Sequence, residues 1–208
     1  MDINVLNKIA VEMVADSKGI LAIDESHGTC KKRFDALNID VTEENRRSYR
    51  DMLVSANSLS NYISGAILFD ETIRQKTSDG STFPDYLDKV GIIPGIKVDA
   101  GAKPFSSHPN EKITEGLDNL TERMKEYSSL GAKFAKWRAV ITIGENIPSS
   151  ACMLANSHAL ARYASICQEI NIVPIVEPEV LMDGSHNINK CFEAVSYTHL
   201  TLPTKRIV

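Results

Sequence analysis

The sequence lacks the features of a membrane-spanning, secreted or nucleic-acid-binding chain. No uninterrupted apolar run approaches the ~20 residues that a bilayer-spanning helix needs, so no membrane is expected as a partner. The first residues, MDINVLNKIAVEM, mix acidic with apolar side chains and have neither the basic start nor the apolar core of a secretory signal. A formal net charge of -4 provides no basic surplus, so nucleic acid is not an expected partner and any anion site has to be local. The four cysteines (Cys30, Cys152, Cys167, Cys191) are widely spaced and include no CxxC pair. Without a signal they read as reduced thiols in a cytoplasmic protein. The five histidines (His27, His108, His158, His186, His199) show no HExxH or other ligand spacing, so neither a metal nor another cofactor is expected.

What is present is an ordinary globular composition, 43% hydrophobic and 24% charged. Its 208 residues can enclose one sizeable core but fall short of the ~250 typical of a complete eight-unit α/β barrel. Apolar β-prone runs alternate with amphipathic stretches, which is the pattern of a parallel sheet wrapped by helices. The spacing predicts helices over 4–14, 83–90, 116–130 and 149–169, with a further one from 186. Another starts at Thr42, with Glu43 and Glu44 in its first turn to suit the helix dipole. Strands are predicted over 19–24, 64–70, 95–99, 134–140 and 172–179, and Gly131 is placed to close the helix before it. The last segment, SYTHLTLPTKRIV, departs from this pattern, because Pro203 and a run of β-branched residues do not continue the helical period. The chain is therefore expected to divide into a fold over 1–195 and a discordant tail over 196–208.

The chemistry is carried by ionisable residues inside apolar strands. A parallel strand is covered on both faces, so a charge there is costly unless it is paired or used. Side chains alternate between faces, which places Lys136 with Arg138, Glu177 with Glu179, and Lys97 with Asp99, and sets Trp137 opposite the first pair. Asp24 ends the first strand, with Ser26 two residues on. Four strands thus deliver Asp, Lys, Lys/Arg and Glu/Glu towards their C-terminal halves, the end at which β/α barrels collect reacting groups. Plainer readings stand beside this one. Asp24 could cap the turn after its strand, Lys136 and Arg138 could form a structural ion-pair network with the two glutamates, and Lys97 and Asp99 could neutralise one another. Glu43, Glu44, Arg46 and Arg47 read as the solvated face of a helix, with Arg46 a minor site candidate. Taken together, cations without metal ligands suit a phosphate ester. A lysine near paired carboxylates suits Schiff-base or proton-transfer chemistry.

The segments that carry these residues resemble one family. GILAIDES (19–26), TEENRRSYR (42–50), GAILFDET (65–72), GIKVD (95–99), FAKWR (134–138), LARYASICQ (160–168) and VPIVEPEVLMDGSH (173–186) are similar, in order and spacing, to motifs of the class I fructose-1,6-bisphosphate aldolases. The likeness spans about residues 5–195. It implies a (β/α)8 TIM barrel, here with about five of its eight units. It also implies metal-independent, reversible cleavage of fructose 1,6-bisphosphate into two triose phosphates. By motif, Asp24 resembles the group handling the C4 hydroxyl proton, and Glu177 the acid/base of Schiff-base formation and release, with Glu179 beside it. Lys136 resembles the lysine that holds the site electrostatically. Ser26, Arg33, Lys97 and Arg46 fall where the family binds substrate phosphates, and Arg138, the neighbour of Lys136, is a further substrate-binding candidate. Relatives are commonly homotetramers.

The departures bear on activity. The family's Schiff-base lysine lies on the sixth strand in a motif like LLKPNMV, and nothing in this sequence matches it. The 208-residue chain is therefore expected to be inactive alone. Two other readings remain open: a non-catalytic scaffold that keeps the aldolase surface, and a transaldolase-type enzyme that uses Lys136.

Overall fold

The computed structural model describes residues 1–15 and 17–201. In chain order its elements are α1 (Ile3–Met13), β1 (Gly19–Ala22), α2 (His27–Asp35), α3 (Glu43–Val54), β2 (Ile63–Leu68), α4 (Asp70–Ile73), α5 (Phe83–Lys89) and β3 (Ile93–Lys97). There follow β4 (Ala102–Pro104), β5 (Lys112–Thr114), α6 (Leu120–Ser129), β6 (Phe134–Ile141), α7 (Ser150–Glu169), β7 (Val173–Val180) and α8 (Ile188–Thr201). Five parallel strands in the order β1-β2-β3-β6-β7 make a curled half-barrel, and β4 and β5 form a separate antiparallel hairpin. The five expected strands are thus all present and parallel. Among the described residues no helix is long and apolar enough to cross a membrane.

Local chemistry sets the boundaries. The hydroxyls of Thr42, Thr82 and Ser149 accept from backbone N–H groups three residues on and open α3, α5 and α7. Gly131, at φ +105°, follows the last turn of α6. Three departures from the expected pattern have local causes. α6 starts at Leu120 instead of residue 116, because Gly116 (φ +131°) and Asn119 (φ +53°) are left-handed and cannot extend it backwards. α2 was not expected, since its sequence HGTCKKRFD has almost no apolar stripe and depends on the Ser26 cap. α8 does not stop at Val195 but runs to Thr201: β-branched residues lower helix propensity by only tenths of a kcal/mol each. Pro203 lies outside the described residues.

Strand alternation separates two apolar layers. On the convex side Ala66, Leu68, Ile96, Ala135, Trp137 and Ala139 pack under the helices with Leu120, Met124, Leu160 and Tyr163. On the concave side Ile67 and Phe134 pack with Met13 of α1, flanked by Ile9, Ile93, Val173 and Ile175. This inner layer is built around one ring. A Cβ at Gly95 would fall 2.2 Å from Phe134 Cζ, and one at Gly65 would fall 3.0 Å from Cε1. The glycines make the space that Phe134 fills. The outer strands are less covered, for β1 is largely exposed and every residue of β7 is half-buried, whereas β2 and β3 are mostly buried.

Gly95→Ala is expected to destabilise the chain by about 1–3 kcal/mol through overpacking, and a simultaneous Phe134→Leu to recover part of the loss. Urea unfolding followed by the fluorescence of Trp137, the single tryptophan, measures both. An unchanged midpoint for Gly95→Ala would contradict the packing.

Candidate active site at the strand ends

One pleat above the Phe134 layer the concave face becomes polar. Lys97 and Lys136 are register partners on β3 and β6, and Lys136 pairs in register with Ile175 on β7, so Glu177, two residues on, shares their face. Asp24 stands two residues past the end of β1 and is 8% exposed. The curl of the sheet brings these strand ends together. Lys136 Nζ lies 3.3 Å from Asp24 Oδ2 and 3.3 Å from Glu177 Oε2. One ammonium is therefore shared by two carboxylates from opposite edges of the sheet. Trp137, fully buried, points to the convex side as alternation requires.

The remaining strand charges form two further pairs. Arg138 Nη1 is 3.1 Å from Glu179 Oε2, both partly exposed. Lys97 Nζ is 3.6 Å from Asp99 Oδ1, whose buried side chain also accepts from Gly101 N at 3.0 Å. The ion-pair network between β6 and β7 and the Lys97–Asp99 pairing are both realised. Asp24 does not cap the following turn: that role falls to Ser26, whose Oγ accepts from Thr29 N at 3.3 Å and lies 3.2 Å from Thr29 Oγ1.

Burial pushes the Glu177 carboxyl above its ordinary range. The Lys136 ammonium opposes that shift and the neighbouring Glu179 charge adds to it. Oε2 of Glu177 is buried without a hydrogen-bond donor among the described residues; the ammonium meets it at ion-pair distance but off the hydrogen-bonding direction. A carboxyl that keeps its proton to higher pH beside a fixed cation has the character of a general acid/base.

The other candidate cations are already held by carboxylates. Arg33 pairs with Glu25 and donates to Tyr49 OH at 2.9 Å. Arg46 grips Glu71 with both arms, Nε to Oε2 at 2.8 Å and Nη2 to Oε1 at 2.5 Å. These hydrogen bonds hold the Glu71 carboxyl below its usual range. The face of α3 carrying Arg46 is not solvated as expected: Arg46 is 9% exposed, Arg50 fully buried and Val54 nearly so. Sequence reasoning missed Arg50 and Glu71. The available signal was the spacing 46, 50, 54, which puts two arginines in line with an apolar residue on one helix face.

Comparison with known proteins follows the same residues. Residues 5–203 match the family described as fructose-bisphosphate aldolase class-I. A protein of Xanthomonas axonopodis pv. citri named "Probable fructose-bisphosphate aldolase class 1" is 61% identical over 95% of this chain and 59% of its own length. "Fructose-bisphosphate aldolase 4, cytosolic" of Arabidopsis thaliana is 52% identical over 84% of this chain and 44% of its own. The crystal structure of a fructose-bisphosphate aldolase from Plasmodium falciparum, in complex with TRAP and a small-molecule inhibitor, superposes with a TM-score of 0.91 at 45% identity. It covers 97% of this chain and 61% of that one. The chain spans about three fifths of the length of the first of these relatives.

Removing the shared cation tests the electrostatics. Lys136→Met is expected to cost roughly 2 kcal/mol near neutral pH, less than for a fully enclosed pair because Glu177 is about a third exposed. Without the ammonium, burial and the Glu179 charge hold Glu177 up against Arg138 only, and the native state binds its proton more readily than the unfolded chain. Stability that the variant retains in acid is then lost as pH rises through the raised Glu177 titration. Urea midpoints across that range check this; a penalty independent of pH would contradict it.

Proposed function

The chain belongs to the class-I fructose-bisphosphate aldolase family, and on that premise we propose that its strand-end pocket moves protons in the reversible cleavage of fructose 1,6-bisphosphate to dihydroxyacetone phosphate and glyceraldehyde 3-phosphate. The observation that carries this proposal is the Lys136 ammonium held 3.3 Å from both Asp24 and Glu177. Asp24 takes the C4 hydroxyl proton as the C3–C4 bond breaks. Glu177, with its raised titration, exchanges protons as the Schiff base forms and is released, and Glu179 keeps Arg138 in place beside it. Lys136, in contact with both carboxylates, steadies the developing negative charge.

Lys97 and Arg138 are the cations nearest the pocket for the substrate phosphates. Ser26 contributes its hydroxyl proton while its oxygen keeps capping α2. Arg33 and Arg46 join by exchanging Glu25 and Glu71 for phosphate oxygens, which guanidinium forks bind equally well. The covalent lysine belongs to a segment of the family that this sequence does not match. The whole enzyme is a cytoplasmic homotetramer, a placement supported by the name of the Arabidopsis relative.

A chimera tests the proposal. Residues 1–195 joined to the matching C-terminal part of the Xanthomonas relative are expected to cleave fructose 1,6-bisphosphate. Asp24→Asn or Glu177→Gln in that chimera is expected to lower kcat by about 10²- to 10⁴-fold. A folded but inactive chimera would leave a non-catalytic scaffold as the better account. The 208-residue chain alone, treated with dihydroxyacetone phosphate and borohydride, is expected to give no adduct; labelling of Lys136 would transfer the Schiff base to β6 and to transaldolase-type chemistry.

A further inference from the structure

β1 ends at Ala22, so the residues that carry Asp24 leave the ladder just where their backbone must be fixed. Ile23 N still donates to Ile67 O at 3.1 Å. The carbonyls on either side of Asp24 have no strand to accept from. Both are met by one side chain on α3: Arg50 Nε lies 3.1 Å from Ile23 O, and Arg50 Nη2 lies 2.6 Å from Glu25 O. Arg50 is 0% exposed, and its guanidinium sits 5.5 Å from the centroid of the Phe69 ring.

A buried cation normally demands a carboxylate. Glu71 is close, 3.5 Å from Arg50 Nη1, but that nitrogen has no hydrogen bond, and the two short contacts of Glu71 go to Arg46. Both hydrogen bonds of Arg50 to oxygen go to the Asp24 turn; a third, from Nη2 to Cys30 Sγ at 3.7 Å, reaches α2 just beyond it. We propose that Arg50 is a positioning residue, clamping the two carbonyls that flank Asp24 so that the carboxylate is aimed at Lys136. The planar fork suits two acceptors that diverge from one turn; an ammonium at the same place is a point charge and engages one of them. The importance of that aim for catalysis rests on the assignment of Asp24 as the group that takes the substrate hydroxyl proton.

A zero-length coupling reads the aim directly. A water-soluble carbodiimide condenses a carboxyl with an amine in contact, and the reagent leaves as its urea. In the 208-residue chain Asp24 and Glu177 compete for the same amine from equal distances of 3.3 Å, and mass spectrometry of the digest quantifies both links. In Arg50→Lys and in Arg50→Gln the Asp24–Lys136 link is expected to fall about tenfold relative to the Glu177–Lys136 link, as suits loss of a charge-assisted hydrogen bond. An unchanged ratio overturns the proposal. So does an equal fall of both links, including that of a variant that no longer folds, since Arg50 would then serve the fold as a whole. Neither link requires turnover. An inactive chimera combined with selective loss of the Asp24 link would sink the aldolase assignment and leave the positioning role standing.

Discussion

A single ammonium shared by two carboxylates is the contact on which the rest of the structure depends. Asp24 and Glu177 come from opposite ends of the sheet, and Lys136 from the strand beside one of them. No local segment can bring these groups together. The arrangement requires every strand to be parallel, in register and curled, so that the pleat which buries Phe134 presents Lys136 one step later. A one-residue slip of β6 would turn Lys136 into the helical layer and Trp137 into the pocket. The apolar core and the charged cluster at the strand ends are therefore two readings of one register.

A second set of charges is paired on α2, α3 and the segment after β2. Glu71 binds Arg46 and approaches Arg50, Glu25 binds Arg33, and Ser26 caps α2. These groups satisfy one another. Burial makes that necessary, because a guanidinium without a partner on the covered face of α3 would be strongly disfavoured. Glu25 and Glu71 are the carboxylates that neutralise these arginines.

Much of this was legible in the sequence because it rests on alternation and capping. The five strands, the helix starts at Thr42 and Ser149, and the opposite facing of Trp137 and Lys136 follow from periods of two and from capping hydroxyls, Thr42 being backed by Glu43 and Glu44 in the first turn. What was not legible depends on partners distant in sequence. α2 has no apolar stripe to announce it, and the β4–β5 hairpin is too short to show alternation. Arg50 looks like one more charge on a charged helix until the carbonyls of Ile23 and Glu25 are seen to lie against it. The end of α8 was placed too early, because weak local preferences cannot stop a helix once it has begun.

The bare margins of the sheet have a geometric corollary. β1 and β7 each pair on one side only among the described residues, and each offers its free backbone groups in the same chain direction. An isolated extended peptide can satisfy one of these margins but not both, since they lie on opposite sides of an arc. Closure therefore calls for a body with two matching parallel rims and the right curvature, a far more demanding shape than an adventitious strand can supply.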